Sequence, residues 1–405
     1  MRILYCVQRY GEEVGGGAEA ACRALAEHMA ARGHHVEALT SCATDYVTWA
    51  DEYPAGTTEL NGVTVHRLPV RSERTPEQFG TMSQRVLGGH AALAAERDWV
   101  RVQGPDLPEL EAWLDEHAAR FDVAVFYTYL YPTSALGLPI AARSTATVLH
   151  PAAHDEPTLE LRVFDRVVRS ADAISVHTPE ELDSLRGRFH FDPLVAEVGL
   201  GVDINPPPAD GARFRTSFGL GEEPILLYVG RVEPSKGTDE LARYFAEFKR
   251  RHPSGLKLVL VGPPVQAPPP HPDIVCAGFV SEQDRLDAFA ASSYFVMPSY
   301  FESFSIVLCD AWVVRRPALV NAHCAVLDGQ SRRSGGGLGY HDFAEFDAAL
   351  SRLMADPELC AAMGQSGRDY VVSRYGWDTV LDDYERLIHA AINRRRAAAV
   401  TSVPR

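Results

Sequence analysis

Cysteines are too few and too widely spaced in this sequence for a disulfide framework or a zinc site. There are seven among 405 residues, the number is odd, and no two form a Cys-x-x-Cys pair. Small disulfide-linked domains and structural zinc sites both depend on closely spaced cysteines. We therefore expect reduced, mostly buried thiols, as in a reducing compartment such as the cytoplasm.

Long apolar runs are also missing. No segment reaches the ~18–20 apolar residues that are needed to span a bilayer. The apolar start of the chain, MRILYCVQ, is too short for a signal peptide. The sequence therefore predicts a soluble, cytoplasmic protein and argues against stable membrane association. It favours no particular oligomeric state.

Positive charge is in deficit. The 39 Lys and Arg residues face 54 Asp and Glu residues, which gives a formal net charge of −15. A surface of this sign repels polyphosphate and anionic lipid at long range. We therefore expect no nucleic-acid partner. A few basic residues that converge in one pocket can still bind a phosphate ligand.

The length of the chain suits two domains, and its hydrophobic content of 46% suffices for full-sized cores. Short apolar runs alternate with helical patterns, which predicts parallel, doubly wound sheets of the α/β class. The pattern begins with a strand over Arg2–Val7 and includes a helix over Pro157–Arg169. A proline-rich segment at 205–212 is typical of a linker, and the pattern restarts at Ile225–Val229. Ligands of such sheets bind at the carboxyl ends of the strands.

A glycine-rich loop, Gly15 to Gly17, follows the first strand and precedes a predicted helix. Glycine lets the backbone approach a ligand closely, and the start of a helix presents free N–H groups to an anion. The loop therefore favours contact with phosphate, although an ordinary glycine turn has the same composition. It does not match Gly-x-Gly-x-x-Gly, and no acidic residue occupies a clear ribose position further on, which disfavours a dehydrogenase.

Two cations lie in the loop after the first strand of the second domain. Arg231 and Lys236 belong to the segment GRVEPSKG at 230–237. Two cations at the carboxyl edge of a sheet can bind a diphosphate and stabilise the charge on a leaving nucleotide. A lone basic residue is more often a solvated loop charge, whereas a pair in one loop favours a phosphate site.

Two acidic residues lie near the apolar helical run Ile306–Val314. Glu302 precedes the run and Asp310 follows eight residues later, a rise of only ~12 Å in a helix. The two carboxylates can therefore contact different parts of one extended ligand, and a carboxylate can accept from two vicinal hydroxyls. The first N–H groups of the helix suit a phosphate. The alternative is that Glu302 caps the helix and Asp310 is a surface charge.

Two histidines flank a turn that follows one of the predicted strands. His150 and His154 bracket Pro-Ala-Ala, and Asp155 and Glu156 come next. The proline argues for a loop, whereas a His-x3-His pair binds a metal only on a helix. At the carboxyl end of a strand these side chains are candidates for substrate contact, although loop histidines are often structural or solvated.

Taken together and in this order, the motifs resemble those of the family 4 retaining glycosyltransferases of the GT-B fold. The resemblance covers nearly the whole chain. Its segments are GGAE at 16–19, RGHHV at 32–36, GRVEPSKG at 230–237, GFVSEQDRL at 278–286 and ESFSIVLCD at 302–310. Three further segments, at 41–49, 150–157 and 321–340, resemble a bacterial subgroup often linked to surface polysaccharides or glycosylated metabolites.

The resemblance implies an α/β protein of the GT-B fold, with two Rossmann-like domains whose parallel sheets face each other across a cleft. An N-terminal acceptor-side domain would span 1–204, and a C-terminal domain that binds the nucleotide-sugar would span 205–376. A C-terminal helix at 377–393 would cross back to the N-terminal domain. The tail at 394–405 is expected to be disordered.

The resemblance also assigns roles to individual residues. Arg231 and Lys236 would contact the donor diphosphate, Glu302 would hold hydroxyls of the transferred sugar, and His154 would face the reacting sugar as the fourth catalytic residue. The residues expected to bind the donor are Gly16, Gly17, Phe279, Val280, Ser303, Phe304, Ser305, Ile306 and Asp310. Those expected on the acceptor or sugar side are His150, Asp155 and Glu156. Asp310 departs from the family pattern, which usually has a glutamate that contacts the ribose.

The implied reaction moves a hexose from a nucleoside-diphosphate sugar, with UDP as the first base to consider, to a hydroxyl of a small-molecule or glycan acceptor. The anomeric configuration would be retained. Neither a metal nor a cofactor is expected to be required besides this co-substrate. The alternatives are a nucleotide-dependent oxidoreductase, a GT-B phosphorylase or nucleotide-sugar epimerase, and a non-catalytic nucleotide-sugar-binding protein.

Overall fold

The computed structural model describes residues 1–89, 91–190 and 192–401. The chain forms two compact units. The first comprises Met1–Gly201 together with Val380–Arg405, and the second comprises Val202–Thr379. The two-sheet α/β architecture expected from the alternating pattern is present, with one sheet in each unit.

The described strands of the first unit form one sheet. They are β1 (Arg2–Cys6), β2 (His35–Ser41), β3 (Gly56–Leu60), β4 (Val63–Leu68), β5 (Val123–Tyr127), β6 (Ala146–His150), β7 (Ala173–Val176) and β8 (Leu194–Glu197). Their spatial order is β3-β4-β2-β1-β5-β6-β7-β8. All neighbours are parallel except β3, which pairs antiparallel with β4 at the edge. The central strands are buried on both faces, as is usual in parallel sheets covered by helices.

Helices connect these strands. They are α1 (Gly17–Ala31), α2 (Pro76–Leu87), α3 (Leu93–Gln103), α4 (Leu110–His117), α5 (Pro132–Ala135), α6 (Leu138–Ala141), α7 (Asp165–Ser170) and α8 (Pro179–Arg188). The single helix expected over Pro157–Arg169 is instead two 3-10 turns, separated by the extended Leu161, followed by α7. One cause is a tertiary contact, because the Val163 N–H donates to the buried carboxylate of Glu96 at 2.9 Å and so is not used within a helix.

The second unit contains a fully parallel sheet. Its described strands are β9 (Ile225–Val229), β10 (Lys257–Val261), β11 (Ile274–Gly278), β12 (Tyr294–Met297), β13 (Ala318–Asn321) and β14 (Gly337–Tyr340). Its helices are α9 (Gly211–Ser217), α10 (Thr238–Arg251), α11 (Glu282–Ala291), α12 (Ile306–Val313), α13 (Ala325–Ser334), α14 (Phe343–Ala355) and α15 (Pro357–Tyr375). The strand order is β11-β10-β9-β12-β13-β14, which is the 3-2-1-4-5-6 order of Rossmann folds.

Each sheet has a point at which the strand order reverses. In the first unit this point lies between β1 and β5, and in the second it lies between β9 and β12. Loops that leave two such neighbouring strands run to opposite sides of the sheet and open a crevice at its carboxyl edge. In the second unit these are the loops at 230–237 and 298–305.

A last helix, α16 (Trp377–Thr401), ends the described chain. Its residues from Val380 onward belong to the first unit, where Tyr384 and Ile388 are fully buried. The sequence predicts a disordered tail from residue 394, whereas the structure continues the helix to Thr401. Residues 402–405 lie outside the described residues. Within the described part of the chain, no helix is both long and apolar enough to cross a membrane.

Candidate functional site

The loops after β9 and β12 approach each other closely in the second unit. Gly237 has a φ of 74°, a left-handed conformation that glycine adopts without a steric penalty. A β-carbon at this position would also collide with the carbonyl of Pro298 in the other loop. Gly237 therefore allows two loops of the sequence-predicted site to meet at the point where the strand order reverses.

Lys236 and Glu302 form an ion pair across these two loops. The Lys236 Nζ donates to Glu302 Oε1 at 2.8 Å. The side chains keep 27% and 14% of their surface exposed, so both remain within reach of a ligand. An ammonium has three donors and a carboxylate has several acceptor positions, so the pair leaves capacity for further hydrogen bonds. The structure thus brings together two of the four residues expected to be catalytic.

Arg231 lies in the same loop and is the more exposed cation. Its Nη2 is 3.2 Å from Glu233 Oε1, and its side chain is 41% exposed. The loop backbone is fixed by two side chains, since the Tyr228 hydroxyl donates to the Arg231 carbonyl at 2.8 Å and the Thr238 hydroxyl donates to the Glu233 carbonyl at 3.0 Å. The backbone that carries both cations is therefore held in place by contacts within the unit.

The start of α12 has an uncommon backbone. Ser305, its N-cap residue, has a φ of 71°, which is rare for a residue with a side chain. Its hydroxyl and that of Ser299 are buried with no hydrogen-bond partner in the described structure. Phe304 is buried in the core and packs against Tyr375 at 4.8 Å between ring centroids. Of Phe304, only the backbone can therefore contribute to a ligand site. Ser303 and Ile306 are half-buried.

Asp310 pairs with an arginine that was not apparent as a site residue in the sequence. The Arg285 Nη1 donates to Asp310 Oδ2 at 2.7 Å, and the same guanidinium binds Glu282. Burial raises the pKa of Asp310 above its usual value, and Arg285 partly offsets this shift. Asp310 is therefore a largely buried member of an ion-pair group. It is not the isolated surface charge that was the alternative interpretation.

Phe279 and Val280 follow β11 on a turn. Phe279 is 84% exposed, the largest exposed fraction among the large hydrophobic residues of the described chain. The preceding Gly278 has a φ of 73°, which turns the chain out of the strand. An exposed aromatic ring beside a sheet's carboxyl edge has a face available for stacking on a planar group.

In the first unit, a buried ion pair shapes the glycine-rich loop. Arg9 donates to Glu19 from Nε at 3.0 Å and from Nη2 at 2.6 Å, and also to the Gly15 carbonyl at 2.8 Å. Gly16 has a φ of 146°, and a β-carbon there would collide with Glu19. Gly17 begins α1, and a β-carbon there would meet no atom. The sequence motif included Glu19 but gave no indication of Arg9, since the two are ten residues apart.

His154 lies on the loop after β6 and remains accessible. Its Nδ1 is 3.7 Å from Glu156 Oε1, and its side chain is 31% exposed. Glu156 also accepts a hydrogen bond from the Tyr129 hydroxyl at 2.8 Å. Burial alone would raise the pKa of Glu156, but His154 and the Tyr129 hydroxyl outweigh it and the pKa is lowered. Glu156 is therefore an anion next to His154. Asp155 is exposed.

His150 is placed differently from His154. It is the last residue of β6, is 1% exposed, and stacks on Tyr127 with ring centroids 4.3 Å apart. Neither ring nitrogen has a hydrogen-bond partner in the described structure. Burial, with a contribution from His177, lowers the pKa of His150 well below its usual value. The His150 ring is therefore neutral and packed in the core of the first unit, which does not support a contact with substrate.

Glu181 of α8 is a buried carboxylate that the sequence did not single out. Its two oxygens accept from the backbone N–H groups of Ala153 at 2.8 Å and His177 at 2.6 Å. Burial raises its pKa to about 7, although these hydrogen bonds oppose the shift. Through Ala153, Glu181 fixes the backbone next to His154. No sequence signal distinguishes it from Glu180 and Asp183 of the same helix, which are less buried.

Metal ligands are not grouped in the described part of the chain. No cluster of three or more His, Cys, Asp or Glu side chains there could hold a metal ion. The seven cysteines are free thiols, of which five are buried.

Two α/β units with parallel sheets, one of them in the Rossmann strand order, define a two-domain α/β protein of the Rossmann type. The sequence model of the "Glycosyl transferase 4-like domain" matches residues 16–198, and that of "Glycosyl transferases group 1" matches residues 223–356. Together the two models span most of the chain. The chain belongs to the group 1 glycosyltransferases, a family of enzymes with the GT-B fold.

Relatives of the chain carry names that agree with this family. The D-inositol 3-phosphate glycosyltransferase 2 of Catenulispora acidiphila is 32% identical over 58% of this chain and 60% of its own length, so less than two thirds of that protein is matched. A D-inositol 3-phosphate glycosyltransferase of Stackebrandtia nassauensis is 26% identical over 96% of this chain and 90% of its own.

Among solved structures, the sucrose-phosphate synthase of Thermosynechococcus elongatus has a TM-score of 0.72 at 20% identity, covering 98% of this chain and 99% of that one. The HepE protein of Anabaena, in complex with UDP-glucose, has a TM-score of 0.63 at 15% identity, with all of both chains covered. At these identities the likeness shows the GT-B fold.

Proposed function

We propose that the protein transfers a hexose from a nucleoside-diphosphate sugar to an acceptor hydroxyl with retention of the anomeric configuration. The observation that carries the proposal is the Lys236–Glu302 pair, held at 2.8 Å where the strand order of the second sheet reverses. Ligands of open α/β sheets bind at such points. The pair offers a cation for phosphate and a carboxylate for hydroxyls, and a nucleotide-sugar contains both groups.

The proposed reaction exchanges one bond at the anomeric carbon for another. The bond from this carbon to the diphosphate oxygen breaks, and the acceptor oxygen bonds to the carbon on the same face. The acceptor proton passes to the departing diphosphate. Lys236 and Arg231 stabilise the charge on the diphosphate, together with backbone N–H groups of residues 303–306 at the start of α12. Glu302 holds hydroxyls of the transferred sugar.

The remaining donor and acceptor assignments follow the family resemblance. Phe279 and Val280 contact the base, and Asp310 contacts the ribose directly or through Arg285. In the first unit, Gly16 and Gly17 contribute backbone to donor binding. His154 faces the reacting sugar, with Asp155 and Glu156 on the acceptor or sugar side. The accessible His154 beside the anionic Glu156 supports this role. The buried His150 does not support a role in sugar contact.

The donor is tested by thermal shift with UDP-, GDP- and ADP-glucose. A ligand at 100 times its dissociation constant stabilises the folded state by ~2.7 kcal/mol, which is easily measured. UDP-glucose is the donor we expect to bind, and the Anabaena complex supports this choice. The first acceptor to test is D-inositol 3-phosphate, which the relatives' names contain.

Retention is tested by NMR of the product's anomeric proton. An inverted product would contradict the proposed retaining mechanism.

Each alternative activity would give a different result. Binding of NAD(P) with a change in absorbance would indicate an oxidoreductase. Release of sugar phosphate would indicate a phosphorylase, and a converted donor without an acceptor would indicate an epimerase. Binding without turnover would indicate a non-catalytic protein. We expect activity to survive EDTA, since no metal is needed in the proposed reaction.

A further inference from the structure

A cavity of about 630 Å³ lies in the helical layer of the first unit. Its walls come from α3, α4, the α5–α6 segment, the turn before α7 and α7 itself, which pack against one another. The lining residues all lie between positions 93 and 170 and include none of the residues assigned to sugar transfer. The volume falls within the range of small-molecule sites, roughly 300–1,000 Å³.

Arginine dominates this cavity. Six arginines line it, against the carboxylates of Glu111 and Asp165. The six are Arg97, Arg101, Arg143, Arg162, Arg166 and Arg169. The chain as a whole carries a formal net charge of −15, so the sign of the charge in the cavity is opposite to that of the protein. A concave site of one sign concentrates ions of the other sign.

Three of these arginines already form ion pairs with carboxylates. Arg101 lies 3.0 Å from Asp106, Arg143 lies 3.2 Å from Asp115, and Arg162 lies 3.4 Å from Glu96. The lining carboxylates are engaged as well, Glu111 with Arg101 at 3.4 Å and Asp165 with Arg188 at 3.1 Å. The carboxylates around the cavity therefore have little capacity to neutralise further cations.

The other three arginines have no ion-pair partner in the described part of the chain. These are Arg97 of α3 and Arg166 and Arg169 of α7, and all three are exposed. Arg166 and Arg169 are three residues apart, and Arg97 and Arg101 are four apart, so each pair shares one helix face. Like charges at these spacings disfavour the helix, and a bound anion would remove that repulsion.

The rest of the lining is largely apolar. Leu136, Pro139 and Ile140 of the α5–α6 segment contribute to it, together with Ala135 and Val163. Guanidinium groups bind phosphate oxygens in a bidentate manner, and an apolar surface beside them suits a ligand with a carbon framework. The lining as a whole therefore matches a phosphate attached to a less polar group.

We propose that this cavity binds a phosphorylated ligand, with Arg97, Arg166 and Arg169 holding the phosphate and the α5–α6 segment contacting the attached group. Such a phosphate belongs either to a free phosphorylated molecule or to a phospholipid headgroup. The site is independent of the proposed sugar transfer, because none of its residues takes part in that reaction.

The first experiment uses inorganic pyrophosphate as the probe, measured by isothermal titration at low ionic strength. The test variant is R97Q/R166Q/R169Q. The matched control is R85Q/R120Q/R186Q, which removes three exposed arginines of the same unit that do not line the cavity. With R231A/K236A as the background, so that the proposed diphosphate site of the second unit does not contribute, we expect the test variant to bind at least about tenfold more weakly than the background protein, or about 1.4 kcal/mol, and the control to change less than twofold.

A third variant, R231A/K236A, separates this site from the proposed diphosphate site of the second unit. Pyrophosphate binding that persists in R231A/K236A and is lost when R97Q/R166Q/R169Q is added to R231A/K236A supports the cavity. Binding that is equal in the test and control triple variants overturns the proposal, as does loss of all binding in R231A/K236A. Circular dichroism melting of each variant confirms that the comparison is between folded proteins.

The second experiment distinguishes the two sources of phosphate. Wild type and the triple variants are sedimented with vesicles of phosphatidylcholine, with and without phosphatidylglycerol. Binding to the anionic vesicles that depends on Arg97, Arg166 and Arg169 identifies a headgroup site. Pyrophosphate binding without vesicle binding identifies a site for a free phosphorylated molecule. If neither probe responds to the test variant more than to the control, the cavity is not a phosphate site.

Discussion

Each unit has an ion pair at the loop that follows a central strand, but the two pairs differ greatly in exposure. In the second unit, Lys236 and Glu302 keep 27% and 14% of their side chains exposed. In the first unit, Arg9 and Glu19 keep only 6% and 7%. A partly exposed pair can meet a ligand, whereas a buried pair can only hold the backbone around it. We therefore infer the role of a charged residue at a strand's carboxyl end from its burial and not from its position alone.

The largest effect that we expect to test this comparison is a loss of protein stability when Arg9 is replaced. Replacing Arg9 by Met leaves the buried carboxylate of Glu19 without its partner. Breaking a buried ion pair costs about 3–5 kcal/mol, so we expect the free energy of unfolding to fall by that order in urea denaturation. The double variant R9M/E19M should recover much of the loss, because no unpaired buried charge remains.

Arg250, which pairs with Glu247 on the surface of α10, is the matched control. Replacing it by Met should change the free energy of unfolding by less than about 1 kcal/mol, since exposed pairs contribute little. If R9M is no more destabilising than R250M, the Arg9–Glu19 pair does not support the glycine-rich loop as described.

The next effect concerns catalysis, at Lys236 and Arg231. Their charges are proposed to stabilise a leaving diphosphate, so each alanine variant should lower kcat, Lys236→Ala by about 10²–10³-fold, the usual cost of losing one group that stabilises developing charge. The measurement is the rate of sugar transfer or donor hydrolysis by folded protein. Arg250→Ala serves as the control in the same unit. Wild-type rates in both K236A and R231A would remove the diphosphate assignment.

A third effect depends on pH, at Glu181. Its folded-state pKa is raised from 4.5 to about 7, so the folded protein holds this proton more tightly than the unfolded chain does. The resulting stabilisation is present below pH 4.5 and is lost as the pH rises through 7, up to about 3 kcal/mol in all. Glu181→Gln has no such proton and should lack this dependence.

Urea denaturation of wild type and E181Q at pH 5 and pH 8 provides the measurement. The variant should be less stable than wild type at pH 5, and this deficit should shrink or reverse at pH 8. Asp183→Asn, an exposed change on the same helix, should show the same difference from wild type at both values. A difference for E181Q that does not change with pH would mean that Glu181 is ionised at pH 5 as well as at pH 8.

The smallest effect separates binding from catalysis within the second unit. The ribose does not react, so Asp310→Ala should raise the donor KM by roughly 10- to 150-fold, equivalent to about 1.5–3 kcal/mol, with little change in kcat. Glu302→Ala should lower kcat as well, because Glu302 holds the sugar whose charge changes. Arg285→Ala should resemble Asp310→Ala if the two act as one unit. An unchanged donor KM in D310A would leave Asp310 with a purely structural role beside Arg285.

Much of the fold follows from local pattern. The predicted strand Ile225–Val229 coincides with β9, and the predicted strand Arg2–Val7 is one residue longer than β1, since short apolar runs bounded by polar loops are typical of buried parallel strands. The edge strand β3 was not predicted, because its exposed sequence GTTEL lacks an apolar run. The predicted helix at Pro157–Arg169 was interrupted by Glu96, a partner more than sixty residues away.

The sequence points to candidate site residues that lie in loops, but it does not show which of them the fold buries. Lys236 and Glu302 stand in separate motifs that the strand order brings together. The sequence makes both His150 and His154 candidates for substrate contact, with His154 preferred by the family resemblance. It does not show that β6 continues as far as His150 and places its ring against Tyr127. Arg285, Arg9 and Glu181 act through partners distant in sequence. Neither composition nor spacing marks such residues.

The division of the chain also affects the order in which the protein can fold during synthesis. The second unit is continuous from Val202 to Thr379, whereas the first needs α16 to complete its core. Tyr384 of that helix lies 5.2 Å from the ring of His150, between centroids, and both are almost fully buried. A ribosome adds about 5–20 residues per second. The first unit is therefore synthesised first but completes its fold last. Its core lacks α16 for some ten to forty seconds while the second unit is synthesised.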